Sequence, residues 1–218
     1  MSERDALQSG EKMDWMAWHK SYADTSSSLS RRLAVVRSRI GQVLDGAVGG
    51  GPIRIVSLCA GDGRDVLPEL AARPSQRATT LVERDDRLVA AARTAASPLA
   101  GVQVRQGDAG NVATVEDVLP VDLLLLCGIF GNVSTADIRA IIATVPTMLA
   151  AGGTVIWTRG WFAHEDLRPT IRGWFLDAGL SEISFDGEPE RFGVGVARGG
   201  KMLPCTQRTP SRLFTFTR

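Results

Sequence analysis

Ile53-Arg-Ile-Val-Ser-Leu-Cys-Ala-Gly-Asp-Gly-Arg-Asp-Val-Leu-Pro-Glu-Leu70 carries the deciding pattern of this 218-residue chain. A short apolar stretch gives way to a turn holding Gly61 and Gly63, and the opening of a helix follows. Glycine lets a backbone approach a ligand closely where a Cβ would collide. A helix start adds unpaired N–H groups that suit polar or anionic ligand atoms. The stretch therefore predicts a strand–turn–helix unit with a nucleotide-like ligand at its turn.

Downstream, strands and helices alternate. The pattern predicts a strand at 53–58, a helix at 65–72, a strand at 79–83, a helix at 86–96 and a strand at 102–106. The apolar run at 121–127, interrupted by Asp122 alone, fits a central strand buried on both faces. Ser134, with Asp137 three residues later, reads as the cap of a helix whose apolar face is Ile138, Ile141, Ile142, Val145 and Leu149. Gly152-Gly153 reads as a turn into a fifth strand at 154–158, and a helix over 166–178 closes at Gly179. Residues 182–186, 192–197 and 212–216 are strand-like with no helix between them. Repeated β–α units predict an α/β fold: a doubly wound, mostly parallel seven-stranded sheet with antiparallel C-terminal strands.

Upstream, residues 1–28 are polar but hold Trp15, Trp18, His19 and Tyr22, more aromatics than a disordered tail carries. They predict an N-terminal lid. Ser30 reads as the cap of a helix with Leu33, Val36, Ile40, Val43 and Leu44 at helical spacing. Gly49-Gly-Gly-Pro52 then divides a lid and helix (1–48) from the main domain (49–218).

Composition narrows the function. With 25 basic and 24 acidic residues, net charge +1, there is no broad electrostatic case for nucleic acid or membrane as partner. Cys59, Cys127 and Cys205 show no C-x-x-C spacing, and no His/Cys/Asp cluster has metal-ligand spacing. A disulfide framework and a metal are not expected, and a reducing cytoplasm is. The N-terminus is unlike a signal peptide, and no apolar run approaches the roughly 20 residues that span a bilayer. A soluble monomer or homodimer is expected.

In open parallel sheets, ligands bind beyond the carboxyl ends of the strands where strand order reverses. Four strand ends belong together here. The first delivers the Gly61-Asp62-Gly63 turn; the second ends in Glu83, whose carboxylate can accept from both hydroxyls of a ribose. The third ends in Gly107-Asp108-Ala109, and the fourth in Cys127-Gly128-Ile129-Phe130-Gly131-Asn132. Each alone has a plainer explanation as a tight turn, a solvated strand end or a local cap. Together they occupy equivalent positions of one sheet.

These motifs resemble those of the class I S-adenosylmethionine-dependent methyltransferases over about residues 30–218. Val56-Ser-Leu-Cys-Ala-Gly-Asp-Gly-Arg-Asp65 looks like the family's glycine-rich first motif, Glu83 matches its ribose ligand, and Asp108-Ala109 matches the pair that holds the adenine. Leu149-Ala-Ala-Gly-Gly-Thr-Val-Ile156 resembles the family's approach to its fifth strand. The resemblance implies S-adenosylmethionine as cofactor, held by Cys59, Ala60, Gly61, Gly63, Asp65, Glu83, Asp108, Ala109, Cys127 and Gly128. Two positions depart: the acidic residue usual in the first strand is Ser57, and the first glycine of the turn is Cys59. Trp-x-x-Trp-His-x-x-Tyr22, Ile-Trp-Thr-Arg159 and the terminal Arg-Leu-Phe-Thr-Phe216 also resemble small actinobacterial-type methyltransferases. A dehydrogenase fingerprint would need a third glycine three residues after Gly63, where Val66 stands.

Methyl transfer asks for in-line alignment, exclusion of water and, for some acceptors, removal of a proton. The chain's two histidines, His19 and His164, are the candidate bases. Tyr22, Phe130, Asn132 and Arg159 are candidates to bind the acceptor, Arg159 by a bidentate grip on an acidic group. No Asn-Pro-Pro-Tyr-like string follows the fourth strand, so a small-molecule acceptor, methylated at oxygen or nitrogen, is expected. A catalytically silent cofactor-binding protein is the alternative that the departures at Ser57 and Cys59 leave open.

Overall fold

A computed structural model describes residue 22 and residues 24–46, 52–74, 77–162, 165–200 and 210–217. Seven strands form one sheet: β1 (Ile53–Leu58), β2 (Arg77–Glu83), β3 (Val102–Gln106), β4 (Val121–Leu126), β5 (Leu149–Gly160), β6 (Ser181–Glu188) and β7 (Phe192–Arg198). Their order is β3-β2-β1-β4-β5-β7-β6. The first five run parallel, and β7 lies antiparallel between β5 and β6. Five helices accompany them among the described residues: α1 (Ser28–Gly46), α2 (Leu67–Ala72), α3 (Asp86–Ala96), α4 (Thr135–Met148) and α5 (Arg168–Asp177).

The period of two along β4 explains why its residues are apolar on both faces except for Asp122 near its start. Leu124 and Leu126 join one core with Ile138, Ile141 and Val145 of α4 and Phe175 of α5. Leu123 and Leu125 join the other with Val36, Ile40 and Leu44 of α1 and Leu70 of α2. Both faces of the sheet are therefore covered, and the crevice between β1 and β4 is where strand order reverses.

Side-chain caps set several boundaries. The Asp85 carboxylate accepts from the Arg87 and Leu88 N–H groups and opens α3, and Ser134 Oγ accepts from the Asp137 N–H at 3.0 Å and opens α4. The cap of α1 is Ser27 rather than Ser30: Ser27 Oγ accepts from the Ser30 N–H at 3.1 Å. The helix after the glycine turn starts at Leu67, not at 65, because residues 60–66 are spent in successive tight turns and Pro68 occupies the first helical turn.

Two further expectations are corrected. Gly152-Gly153 lies inside β5 rather than before it: Val121 pairs with Leu149 and Leu123 with Thr154, so β5 absorbs the extra residues as a bulge. A Cβ on Gly153 would lie 2.8 Å from the Val121 carbonyl oxygen. Residues 212–216 form no strand; they touch the rest of the chain through single bridges, Arg212 to Asn111 and Phe216 to Val133. The Trp15–Trp18 stretch, the Gly49–Gly51 linker and Cys205 lie outside the described residues.

Candidate functional site

The β1–α2 turn is shaped by left-handed backbone. Cys59, Gly61 and Gly63 have φ of 57°, 58° and 76°. Cys59 thus holds, without being glycine, the conformation that glycine adopts freely. The Ala60 N–H donates to the Val82 carbonyl at 3.0 Å, and the Gly61 N–H donates to Glu83 Oε2 at 2.8 Å, so the turn is fastened to the end of β2. Glu83 Oε1 accepts from the Arg84 and Asp85 N–H groups at 2.7 and 2.9 Å.

Around this turn lies a cavity of ≈ 530 Å³ at the carboxyl ends of β1 to β4. Cys59, Ala60, Gly61 and Asp65 line it from the turn, and Glu83 from β2. Asp108 and Ala109 line it from the loop after β3, and Cys127 and Gly128 from the loop after β4. The topology brings together every expected cofactor residue but one. Gly63 is not in the wall; a Cβ there would lie 2.6 Å from Leu67 Cδ1 and 3.1 Å from Leu81 Cδ1, so its role is close packing of the turn on α2 and β2.

Charge in the wall is uneven. Burial raises the Asp65 carboxyl from 3.8 to about 6, against the pull of its own and the Val66 N–H; Asp62 raises it further and Arg32 lowers it. Asp65 Oδ1 is closed off from solvent and meets no hydrogen-bond partner. Asp108 Oδ1 accepts from the Gly110 N–H at 2.9 Å and Oδ2 from Arg212 at 3.1 Å. Burial pushes both cavity thiols up; Glu83 and Asp108 add to the rise at Cys59, and Asp65 adds to it at Cys127 against Arg32. They remain neutral and are poor nucleophiles.

On the α1 side, Tyr22, Arg32, Leu33 and Val36 close the cavity. Arg32 Nη2 donates to the Tyr22 hydroxyl at 3.3 Å, and the Arg64 guanidinium lies 4.4 Å from the Tyr22 ring centre. Burial raises the Tyr22 hydroxyl above its ordinary pKa, with Arg32 opposing. Sequence reasoning found Tyr22 and missed Arg32, Leu33 and Val36. Helical spacing shows that α1 has an apolar face, but not that one end of that face overhangs the crevice.

Three expected acceptor residues lie elsewhere. Phe130 is fully buried among Trp157 and Phe175, with ring centres 5.9 and 6.5 Å away. Arg159 is 7% exposed, donates to the Phe130 carbonyl and lies 4.5 Å from the Phe162 ring centre. Asn132 Nδ2 donates to the Gly128 carbonyl at 2.7 Å, while Thr158 Oγ1 accepts from the Gly128 N–H at 2.9 Å. Asn132 therefore braces the cavity wall from behind, and Thr158, which lines the cavity, braces it from β5. His19 and His164 lie outside the described residues.

No protein-family model and no curated protein matches the sequence. Solved structures do resemble the fold. Magnesium protoporphyrin IX methyltransferase from Synechocystis PCC 6803, with bound S-adenosylmethionine, superposes with a TM-score of 0.65 at 14% identity, covering 90% of this chain and 95% of that one. An O-methyltransferase family protein from Burkholderia thailandensis gives 0.61 at 14% identity, covering 91% and 67%. A possible exported protein from Bordetella parapertussis gives 0.67 at 14% identity, covering 88% and 75%. At this identity the likeness is one of architecture: the chain has the seven-stranded, Rossmann-like fold of methyltransferases.

Proposed function

We propose that this chain is an S-adenosylmethionine-dependent methyltransferase that acts on oxygen or nitrogen of a small molecule. The observation that carries the reading is Asp65, a residue of the cavity wall whose Oδ1 is buried without a hydrogen-bond partner. A buried carboxylate with one oxygen left without a hydrogen-bond partner is costly to ionise, and a cationic ligand group offsets that cost. The methyl donor has such a group in its ammonium. Asp65 also supplies a carboxylate near the turn where Ser57 replaces the acidic residue of the first strand.

The remaining wall suits the rest of the ligand. Glu83 keeps lone pairs for the ribose hydroxyls beside its three backbone contacts, and Asp108 with Ala109 suits the adenine. Arg32 supplies positive charge for the carboxylate of the amino-acid end. Bound S-adenosylmethionine supplies a sulfonium methyl group that an aligned nucleophile displaces directly. This chain's residues have to orient the acceptor and exclude water, which Tyr22, Leu33 and Val36 do from the α1 side. His19 and His164 are the histidines available to take a proton from the acceptor. The free thiols Cys59 and Cys127 suit a reducing, cytoplasmic setting.

Calorimetric titration with S-adenosylmethionine and with S-adenosylhomocysteine tests the reading. Saturable binding of both is expected, and binding of neither overturns it. Binding without turnover of any acceptor in a small-molecule panel would favour the catalytically silent alternative.

A further inference from the structure

The Arg212-Leu-Phe-Thr-Phe216 stretch belongs to no strand, yet it is fastened at both ends. The Leu213 N–H donates to the Gly110 carbonyl at 2.7 Å, and the Val112 N–H donates to the Ser211 carbonyl at 3.0 Å. Four residues after Leu213, the Thr217 N–H and Oγ1 both donate to the Asn132 carbonyl, at 2.9 and 3.1 Å. The segment is thus a strap running from the loop after β3 to the loop after β4. Phe214 is 1% exposed, and its carbonyl passes so close to Gly110 that a Cβ there would lie 2.3 Å from the oxygen. Arg212 ties the strap to Asp108.

Phe216 is the part of the strap that reaches the ligand cavity, whose wall it shares with Asp108 and Ala109. Its ring packs edge-on against Phe214 at 5.2 Å between centres, which fixes its orientation from behind. We infer that Phe216 is a binding residue for the cofactor: the aromatic wall against which the purine lies, carried into the cavity by the C-terminal strap. This rests on the methyl-donor reading above. A half-buried aromatic ring in a cavity wall keeps apolar surface in water until a flat partner covers it, and purines stack on such rings. Backbone hydrogen bonds on either side of Phe216 hold it in place before the ligand arrives, so little ordering is left to binding. The strap also holds Asp108, through Arg212, in the wall of the same cavity.

The test uses the full chain and S-adenosylhomocysteine, adenosine and methionine as probes. Phe216→Leu keeps an apolar side chain but loses the flat face. It is expected to weaken S-adenosylhomocysteine and adenosine alike by about tenfold to a hundredfold, to leave methionine unchanged, and to keep a cooperative unfolding transition without ligand. Phe216→Tyr is expected to restore binding to within about twofold, since its ring stacks equally well. In the unmodified protein, hydrogen exchange at residues 210–217 is expected to slow on adding S-adenosylhomocysteine. If wild type binds S-adenosylhomocysteine but Phe216→Leu binds it equally well, or if exchange in the strap is unmoved, the inference falls while the methyl-donor reading stands. If wild type binds neither nucleoside, both fall.

Discussion

Glu83 and Gly61, twenty-two residues apart, are joined by a hydrogen bond of 2.8 Å from the Gly61 N–H to Glu83 Oε2. With its other oxygen on the Arg84 and Asp85 N–H groups, one carboxylate fastens the ends of β1 and β2 to each other. Glu83→Ala is expected to lower stability by about 1–3 kcal/mol, from backbone donors left without an acceptor. The same change is expected to weaken S-adenosylhomocysteine by about 1–3 kcal/mol. Urea unfolding and calorimetry measure the two separately. A stability loss without an affinity loss would leave Glu83 as a brace and remove it from the ribose site.

Asp65 gives a pH dependence of definite sign. Its folded carboxyl titrates at about 6, above the 3.8 of an exposed aspartate, so the folded state binds the proton more tightly than the unfolded state. Stability therefore falls as pH rises from about 4 to above 6, by about 1–3 kcal/mol. Asp65→Asn is expected to flatten this slope and raise the melting temperature at pH 8 without ligand. Affinity for S-adenosylhomocysteine is expected to run the other way in wild type, rising through pH 6 as the carboxylate forms to meet the ammonium. An identical affinity profile in Asp65→Asn would detach this group from the ligand.

At Cys59 the usual ranking of glycine and alanine reverses. Glycine ordinarily destabilises regular structure by about 0.5–1 kcal/mol relative to alanine. With φ at 57°, the left-handed conformation costs alanine about 1–2 kcal/mol that glycine avoids. Cys59→Gly is expected to unfold at higher urea concentration than Cys59→Ala. The opposite order would mean that side-chain packing outweighs backbone strain.

Gly195 lies across from Trp157 in the β5–β7 pairing. A Cβ on Gly195 would stand 2.2 Å from Trp157 Cε2, in a ring that also stacks on Phe175 at 5.5 Å. Trp157 is buried and held on both sides, so it cannot swing away cheaply. Gly195→Ala is expected to cost about 1–3 kcal/mol or more by overpacking. Thermal unfolding with wild-type stability would show that the ring gives way.

The fold was legible where local chemistry and tertiary need agree. The helix at 86–96 and the strand at 102–106 coincide with α3 and β3, because Asp85 caps the one and apolar alternation marks the other. Legibility failed where one local signal serves two structures. Gly152-Gly153 reads as a turn in either case, and only pairing with β4 makes it a bulge. Residues 212–216 alternate like a strand, but the segment crosses the loops after β3 and β4, where it finds only single bridges to Asn111 and Val133, and so runs as a strap instead. In the site, backbone-defined positions such as Gly61 and Asp108 could be read from motif spacing. Phe130 and Arg159 could not, since the side chain of a loop or strand-end residue can turn to the core as readily as to the crevice. Phe216, over a hundred residues from Asp108 in sequence, left no local trace of its place in the same wall.

Helix α1 brings a timing constraint on how this molecule comes into being. Val36, Ile40 and Leu44 share a core with Phe192, Val194 and Val196 of β7, and Arg39 grips Asp186 of β6 across 147 residues of sequence. At about 5–20 residues per second, roughly 7–30 s of synthesis separate the helix from the strands that receive it. Through that interval its apolar face has only the part of its seat that β1, β4, β5 and α2 provide, and the β7 side stays open. The seat of the helix that carries one side of the cavity is therefore completed late. A chain interrupted before residue 192 would lose more than the far edge of its sheet; it would lose the Phe192, Val194 and Val196 side of the seat that holds this helix beside the cavity, at the opposite end of the sequence.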